Sequence, residues 1–156
     1  MHIRTLDHSD LNALLALYAY LHAEDVPLPD QQTVDNTWSE ILHNERIRYF
    51  GCIVGDELVS TCTIAIIPNL TRGCRSYGVI ENVVTHPHHR KHGYGHAVLK
   101  HALDHAWNHH CYKVMLLTGH KDEAILNFYK STGFNADEKQ AFIAKPGMQK
   151  TRISSQ

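Results

Sequence analysis

The sequence has 156 residues, of which 43% are hydrophobic and 20% are charged, so it is long enough for one domain with a buried core. The formal net charge of −1 gives no support for nucleic acid or an anionic membrane as a partner. No apolar stretch is long enough to span a bilayer and the N-terminus lacks a signal-peptide core, which predicts a cytoplasmic protein. The four cysteines have no C-x-x-C spacing, so we expect buried free thiols rather than disulfides or a zinc site.

The periodicity of the apolar residues predicts elements in the order β-α-α-β-β-β-α-β-α-β. In chain order they are a strand at 3–6, helices at 11–21 and 33–43, strands at 49–54, 58–67 and 77–85, a helix at 97–107, a strand at 114–117, a helix at 122–130 and a strand at 134–144. Ser9 or Asp10 is the expected N-cap of the first helix, and Gly55-Asp56 is typical of a hairpin turn. Two prolines make the segment between the first two helices an irregular loop.

Hairpin strands come first in this order and strand–helix units follow. The order predicts an α/β (mixed α+β) fold with one mixed, mostly antiparallel twisted sheet and helices on both faces. No linker or repeat divides the chain, so we expect a single domain at 1–147 and a polar C-terminal tail at 148–156.

A loop with the composition of an anion site lies between the strand at 77–85 and the helix at 97–107. Arg90 and Lys91 add positive charge, and Gly93 and Gly95 stand where the helix begins. Backbone N–H groups at a helix start bind anions, and glycines let a phosphate approach closely, so the loop is predicted to bind phosphate. A dinucleotide fold does not fit, because its glycines follow the strand directly, and a Walker loop lacks its Gly-Lys-Ser/Thr.

The segment Arg90-Lys91-His92-Gly93-Tyr94-Gly95 resembles the pyrophosphate loop of the GNAT superfamily of N-acetyltransferases, Gln/Arg-x-x-Gly-x-Gly/Ala. Phe128-Tyr129-Lys130-Ser131-Thr132-Gly133-Phe134 is similar to the F-Y-x-x-x-G-F helix end of that family. Ile80-Glu81-Asn82-Val83-Val84 and Cys111-Tyr112-Lys113-Val114 look like the glucosamine-6-phosphate N-acetyltransferase branch. Asn82 and Ile125 replace an aspartate and an asparagine of that branch, which puts its substrate in doubt. The resemblance therefore implies a GNAT-like single domain with acetyl-CoA as co-substrate and an open choice of acceptor.

The resemblance also implies roles for individual residues. Tyr129 matches the tyrosine that gives a proton to the coenzyme A sulfur; the alternative is a core aromatic. Glu81 is the candidate general base and, with Asn82, the candidate acceptor-binding group, because a buried glutamate is expensive without a task; the alternative is a solvent-facing side chain. The residues expected to bind acetyl-CoA are Asn82, Val83, Val84, Arg90, Lys91, His92, Gly93, Tyr94, Gly95, His96, Asn127 and Phe128.

The sequence contains 14 histidines, an unusually large number. Three of them recur at metal-capable spacing on the helix at 97–107 and beyond, namely His101, His105 and His109. They lie on the same side of the helix as Lys100 and Asp104, which predicts that this face is solvated. We therefore expect only adventitious binding of zinc or nickel there and no metal requirement. Four more lie in the phosphate loop, namely His86, His88, His89 and His92. Their protonation predicts that donor affinity rises modestly as the pH falls below 7.

The resemblance predicts direct attack by a primary amine of a small molecule, without an acyl-enzyme on Cys111. Two alternatives stay open: a non-catalytic acetyl-CoA-binding or metal-binding regulatory module, and an enzyme that acetylates protein lysines or N-termini. Arg72 and Arg75 are candidates for holding a phosphate-bearing acceptor, or they keep a surface loop soluble. A homodimer is also expected from the resemblance.

Overall fold

Segments rich in β-branched and aromatic residues form a sheet of five strands in the spatial order β1-β2-β3-β4-β5. The computed structural model describes residues 1–22 and 24–146, so the predicted tail at 148–156 lies outside the described residues. The strands are β1 (His2–Thr5), β2 (Ile47–Val54), β3 (Glu57–Ile67), β4 (Tyr77–Thr85) and β5 (Val114–Leu116). Strands β1 to β4 pair antiparallel, whereas β4 and β5 pair in parallel. The predicted mixed, mostly antiparallel sheet is confirmed.

Four helices cover the two faces of this sheet. They are α1 (Leu11–Tyr18), α2 (Gln31–His43), α3 (Tyr94–Asn108) and α4 (Glu123–Ser131). Leu14 and Leu17 of α1 and Trp38 of α2 are buried with Val84 in one core cluster. The apolar stripe of α3 lies in the other cluster, where Ala102 and Ala106 let the helix approach the sheet closely. None of the helices in the described ranges is both long and apolar enough to cross a membrane.

The N-terminus is braced by a buried carboxylate. The Arg4 guanidinium donates to both oxygens of Asp10, at 2.6 and 2.7 Å, and the backbone N–H of Asp7 donates to the same carboxylate at 2.8 Å. Asp7 in turn caps the short 3₁₀ turn His8–Asp10 that precedes α1. Asp10 stands at the N-cap position of α1 as expected, but its side chain makes no capping hydrogen bond to this helix because it accepts from Arg4 instead.

The sheet also differs from the prediction at its end. The predicted strand at 134–144 is wrong: no strand follows β5 in the part of the chain that the structure describes. After Phe134, which packs against the core, the segment gains neither ladder hydrogen bonds nor burial, since Phe142 and Ile143 are 89% and 61% exposed. The predicted loop before β4 contains a left-handed helical turn, Thr71–Cys74, in which Arg72 and Gly73 have φ of 58° and 70°.

We predict that Asp10→Asn lowers the free energy of unfolding at neutral pH by about 1–3 kcal/mol, because it breaks a partly buried, doubly hydrogen-bonded ion pair. The Arg4 guanidinium lowers the pKa of the Asp10 carboxyl, with the Asp7 N–H adding to the effect against the cost of burial. A lowered folded-state pKa gives stability that is present above the unfolded value of about 3.9 and is lost as the pH falls through the folded pKa.

Urea unfolding of both proteins between pH 3 and pH 7 measures this difference, with Asp35→Asn on exposed α2 as the control. The gap between Asp10→Asn and the original protein should narrow as the pH falls below about 4. An equal gap at every pH would contradict the assignment.

Candidate active site

A cleft of about 800 Å³ opens where β4 loses its parallel neighbour. Strands β4 and β5 pair only from Gly78 to Ile80, opposite Val114 to Leu116. Beyond that point β4 continues to Thr85 while β5 has ended. The backbone of β4 is therefore left with one unpaired edge along the cleft, where an extended ligand can take its hydrogen bonds. The volume is in the range of cofactor sites.

An irregularity of β4 shapes the floor of this cleft. Thr61 and Thr63 of β3 stand opposite Val84 and Glu81, so β4 carries one extra residue between them. Asn82 takes up the extra length with a φ of 53°, in the left-handed region that non-glycine residues rarely adopt. The bulge turns the side chains that follow to the other face, and Val84 packs under α1 and α2 whereas Ile80 packs under α3.

The loop from Arg90 to Gly95 closes one end of the cleft. Gly93 is the N-cap of α3, and no side chain caps the first turn of this 15-residue helix. Its leading N–H groups are therefore free for an anion. The Arg90 side chain is tied to the strand, since its Nε donates to the Thr85 carbonyl at 3.2 Å. Lys91 has a φ of 64°, so the loop keeps a strained residue beside the anion position.

The two glycines of this loop serve different purposes. Gly93 has a φ of 82°, and a Cβ there would meet no atom within 4 Å, so its requirement is conformational. Gly95 lies against α4, where a Cβ would come within 3.1 Å of the Phe128 ring and of the Thr85 hydroxyl. Close packing of α3, α4 and β4 explains Gly95, a reason that the sequence pattern did not indicate.

Tyr129 of α4 both lines the cleft, as its predicted catalytic role requires, and packs in the core, as the alternative role predicted. Its ring packs against the core cluster below α3 and lies 6.3 Å from the Phe134 ring, while the residue also lines the cleft. Burial, reinforced by Cys62 and by the Glu81 carboxylate, raises the pKa of its phenol. The phenol therefore holds its proton firmly at neutral pH.

Glu81 lines the cleft as predicted, but the reason given for it is wrong. A role for Glu81 was expected because a buried glutamate is costly, whereas its side chain is exposed. Solvent in the open cleft hydrates the Glu81 carboxylate, so the free-energy cost of burying a charge gives no support for a catalytic role of this residue. Its position beside Asn82 at the floor of the cleft is the remaining reason to consider it.

Most of the predicted cofactor residues lie together in the cleft. Those that line it are Asn82, Val83, Val84, Arg90, Lys91, Gly93, Tyr94, Gly95, His96 and Phe128. His92 and Asn127 do not: the His92 ring stacks on Tyr94 at 5.7 Å and Asn127 is exposed on α4.

The cleft also has walls that the sequence analysis missed. Residues 20–22 after α1, residues 117–120 after β5, and Ile125 line it. The sequence could have indicated 117–120, because these residues follow β5 at the point where its pairing with β4 ends and the cleft opens. Nothing in the local sequence of 20–22 indicates that these residues line the same cleft as the loop from Arg90 to Gly95, about 70 residues later. This wall of the cleft could therefore be found only from the structure.

Of the three helix histidines, His101 and His109 are exposed as expected, whereas His105 is half-buried. The rings of His101 and His105 pack edge-on against Phe50 of β2, with centroids 4.7 and 5.3 Å away. Burial, then the neighbouring His109, Arg48 and His101 charges, lower the pKa of His105 to about 4. His105 is thus a neutral packing residue at physiological pH.

Arg72 and Arg75, the candidates for holding a phosphate-bearing acceptor, do not line the cleft. Their guanidinium groups lie 5.8 and 5.9 Å from the centre of the Tyr112 ring.

A family model described as the acetyltransferase (GNAT) family matches residues 13–134. The chain is 31% identical over 140 residues to glucosamine 6-phosphate N-acetyltransferase of Trypanosoma brucei brucei, an alignment that covers 90% of this chain and 92% of the relative. A solved protein of Agrobacterium tumefaciens str. C58, assigned as an acetyltransferase, is 38% identical with a TM-score of 0.86 and covers 93% of this chain and 100% of its own. Glucosamine-6-phosphate N-acetyltransferase from Arabidopsis thaliana, 23% identical with a TM-score of 0.79 over 92% of this chain and 96% of its own, shares the fold.

Proposed function

Since this chain belongs to the acetyltransferase (GNAT) family and is an acetyl-CoA-dependent N-acetyltransferase, we propose that it acetylates a primary amine of a small molecule by direct attack in a ternary complex. The observation that carries the proposal is the cleft itself. It is lined by a free strand edge, an uncapped helix start and a phenol that is protonated at neutral pH. These are the three elements that a thioester donor with a diphosphate requires.

The donor takes its place along β4 in this proposal. The diphosphate of acetyl-CoA accepts hydrogen bonds from the N–H groups at the start of α3, beside Arg90 and Lys91. The pantetheine arm pairs with the unpaired edge of β4 from Asn82 to Val84. A backbone N–H at the bulge then polarises the thioester carbonyl, since charge develops on that oxygen in the transition state.

The reaction needs one proton removed and one supplied. The neutral amine attacks the thioester carbon, a C–N bond forms and the C–S bond breaks. The Tyr129 hydroxyl, which is protonated at neutral pH because burial raises its pKa, gives its proton to the departing thiolate. Glu81 binds the incoming ammonium and takes the proton of the amine, directly or through a water molecule, from its exposed position in the cleft.

The acceptor is an amine small enough to enter the cleft, which residues 20–22 and 117–120 also line. Glucosamine 6-phosphate is the first compound to test, because a 31% identical relative is named for its acetylation. Asn82 and Ile125 line the cleft where the sugar-phosphate branch has other residues, so the acceptor preference can differ. A cytoplasmic location stays a prediction.

We predict that Gly93→Glu abolishes acetyl-CoA binding, whereas Gly55→Glu retains it. Both glycines have positive φ, at 82° and 61°, and both have space for a side chain, so the backbone strain and the added charge are matched. Only Glu at 93 places a carboxylate at the diphosphate position. Calorimetry with acetyl-CoA in EDTA measures the difference, with micromolar binding expected for the original protein.

Equal loss in both variants would indicate general destabilisation rather than a diphosphate site. Equal retention would place the diphosphate elsewhere.

We predict that Tyr129→Phe lowers kcat about 100-fold with little change in the KM for acetyl-CoA, because it removes a general acid and keeps the ring. The ring contacts with Phe128 and Phe134 remain, so the fold should be unchanged. Tyr112→Phe is the matched control, since Tyr112 lies outside the cleft lining. Steady-state thiol release gives both constants, and an unchanged kcat for Tyr129→Phe would remove the phenol from the mechanism.

We also propose a homodimer that uses the segment at 134–144. Strand β5 is an edge strand, and this apolar segment carries the exposed Phe142 and Ile143 without a strand partner in the described chain. Exposed edges and apolar segments of this kind pair with another chain. Light scattering should give twice the 17.8 kDa chain mass, and Phe142→Asp/Ile143→Asp should halve it.

Leu70→Asp, at an equally exposed leucine outside the segment, is the control and should leave the mass unchanged. A monomer in the original protein would contradict the dimer.

A further inference from the structure

Three side chains that have no role in the proposed reaction meet beside the cleft. Glu57 begins β3, and His86 and His89 flank the 3₁₀ turn Pro87–His89 that follows β4. One ligand atom of each lies within 4.8 Å of the ligand atoms of the other two. Within residues 1–22 and 24–146 this is the only set of three His, Cys, Asp or Glu side chains that meets so closely.

The backbone holds these three residues in place. The His86 N–H donates to the Val59 carbonyl at 2.8 Å, which ties the turn to β3 two residues after Glu57. The His89 N–H donates to the His86 carbonyl at 2.9 Å, which holds the backbone of the turn, and the two imidazole centroids lie 5.5 Å apart. The His86 ring also packs edge-on against Tyr20 at 4.8 Å. Both histidines are half-buried, and a preorganised pair of this kind loses little entropy when it binds a ligand.

We propose that Glu57, His86 and His89 bind a divalent zinc ion, with water in the fourth position. Two imidazoles and one carboxylate are a common zinc ligand set. Zinc bonds of about 2.0–2.2 Å at tetrahedral angles place neighbouring ligand atoms about 3.3–3.5 Å apart. His89 Nε2 and Glu57 Oε2 already lie 3.2 Å apart, and the His86 ligand atom lies within 4.8 Å of both, so zinc binding requires His86 to move inward.

The ion replaces weak interactions. It displaces the proton that His89 Nε2 shares with the exposed Glu57 carboxylate. If His86 binds through Nδ1, it also replaces the hydrogen bond from the His88 N–H, which is long at 3.3 Å and exposed. Glu57 and His86 line a second cavity of about 690 Å³ while His89 lines the cleft, so the ion reaches the site from the second cavity.

The position of the site gives it a mechanical consequence. Arg90, the first residue of the anion-binding loop, directly follows His89. A zinc ion would tie this loop to the β2–β3 hairpin and so stabilise the folded chain. This inference rests on the described side chains and does not depend on the proposed acetyl transfer.

Zinc titration of the metal-free protein tests the site by calorimetry, with thermal unfolding as a second readout. One zinc per chain is expected, with a rise in Tm of roughly 5–10 °C at 100 times the Kd. His89→Gln and Glu57→Gln should each weaken binding at least about tenfold and remove the Tm rise. The Tm of each metal-free variant, compared with the metal-free original, shows that it is folded.

His105→Gln/His109→Gln is the matched control, because these neighbouring rings, 4.2 Å apart on α3, are the other candidate pair. This control should bind zinc as the original protein does. Binding that survives in His89→Gln and Glu57→Gln but disappears in the control would place the ion on α3 and overturn the proposal. Absence of zinc binding below about 100 μM in the original protein would overturn it as well.

Discussion

The candidate active site depends on the point at which β5 stops pairing with β4. Strand β5 is only three residues long, so β4 keeps a parallel neighbour as far as Ile80 and then runs on with an unpaired edge to Thr85. Unpaired backbone groups are costly away from water, and a cleft that a ligand can fill satisfies them. The bulge at Asn82 lies within this unpaired stretch, and its φ of 53° is maintained by the pairing of β4 with β3 on the other side. The segment that the donor is proposed to occupy therefore contains both a strained residue, Asn82, and backbone groups on an unpaired strand edge.

The walls of the cleft are also parts of the core. Phe128 and Tyr129 pack against the cluster below α3 and line the cleft at the same time. Gly95 permits this arrangement, since any side chain there would meet the Phe128 ring within 3.1 to 3.2 Å. The helix that presents its start to an anion is thus held against the helix that carries the phenol. A substitution in this region changes the distance between the two ends of the cleft as well as the stability of the fold.

The sequence predicted the parts of the molecule that local chemistry determines. The strands from 47 to 85, the helix after Gly93 and the family were predicted correctly, because apolar periodicity and the Arg90 to Gly95 loop are local signals. The strand at 134–144 was predicted wrongly, since a strand requires a partner and one chain offers this segment none in the described residues. The capping role of Asp7 depends on where the side chain of Asp10 points, and the burial of His105 depends on Phe50 from a distant strand. Contacts between residues far apart in the sequence also create the wall at 20–22 and bring Glu57 together with His86 and His89.

The measurement that tests the central claim most directly is thiol release from acetyl-CoA with and without a panel of small primary amines, glucosamine 6-phosphate among them, in EDTA. Mass spectrometry of the products identifies which amine has gained an acetyl group. The account predicts release that depends on the amine, with an N-acetylated product for at least one compound and no acetyl group left on the protein. Thiol release that no amine accelerates, or acetylation confined to protein lysines, would contradict the small-molecule N-acetyltransferase activity proposed for this cleft.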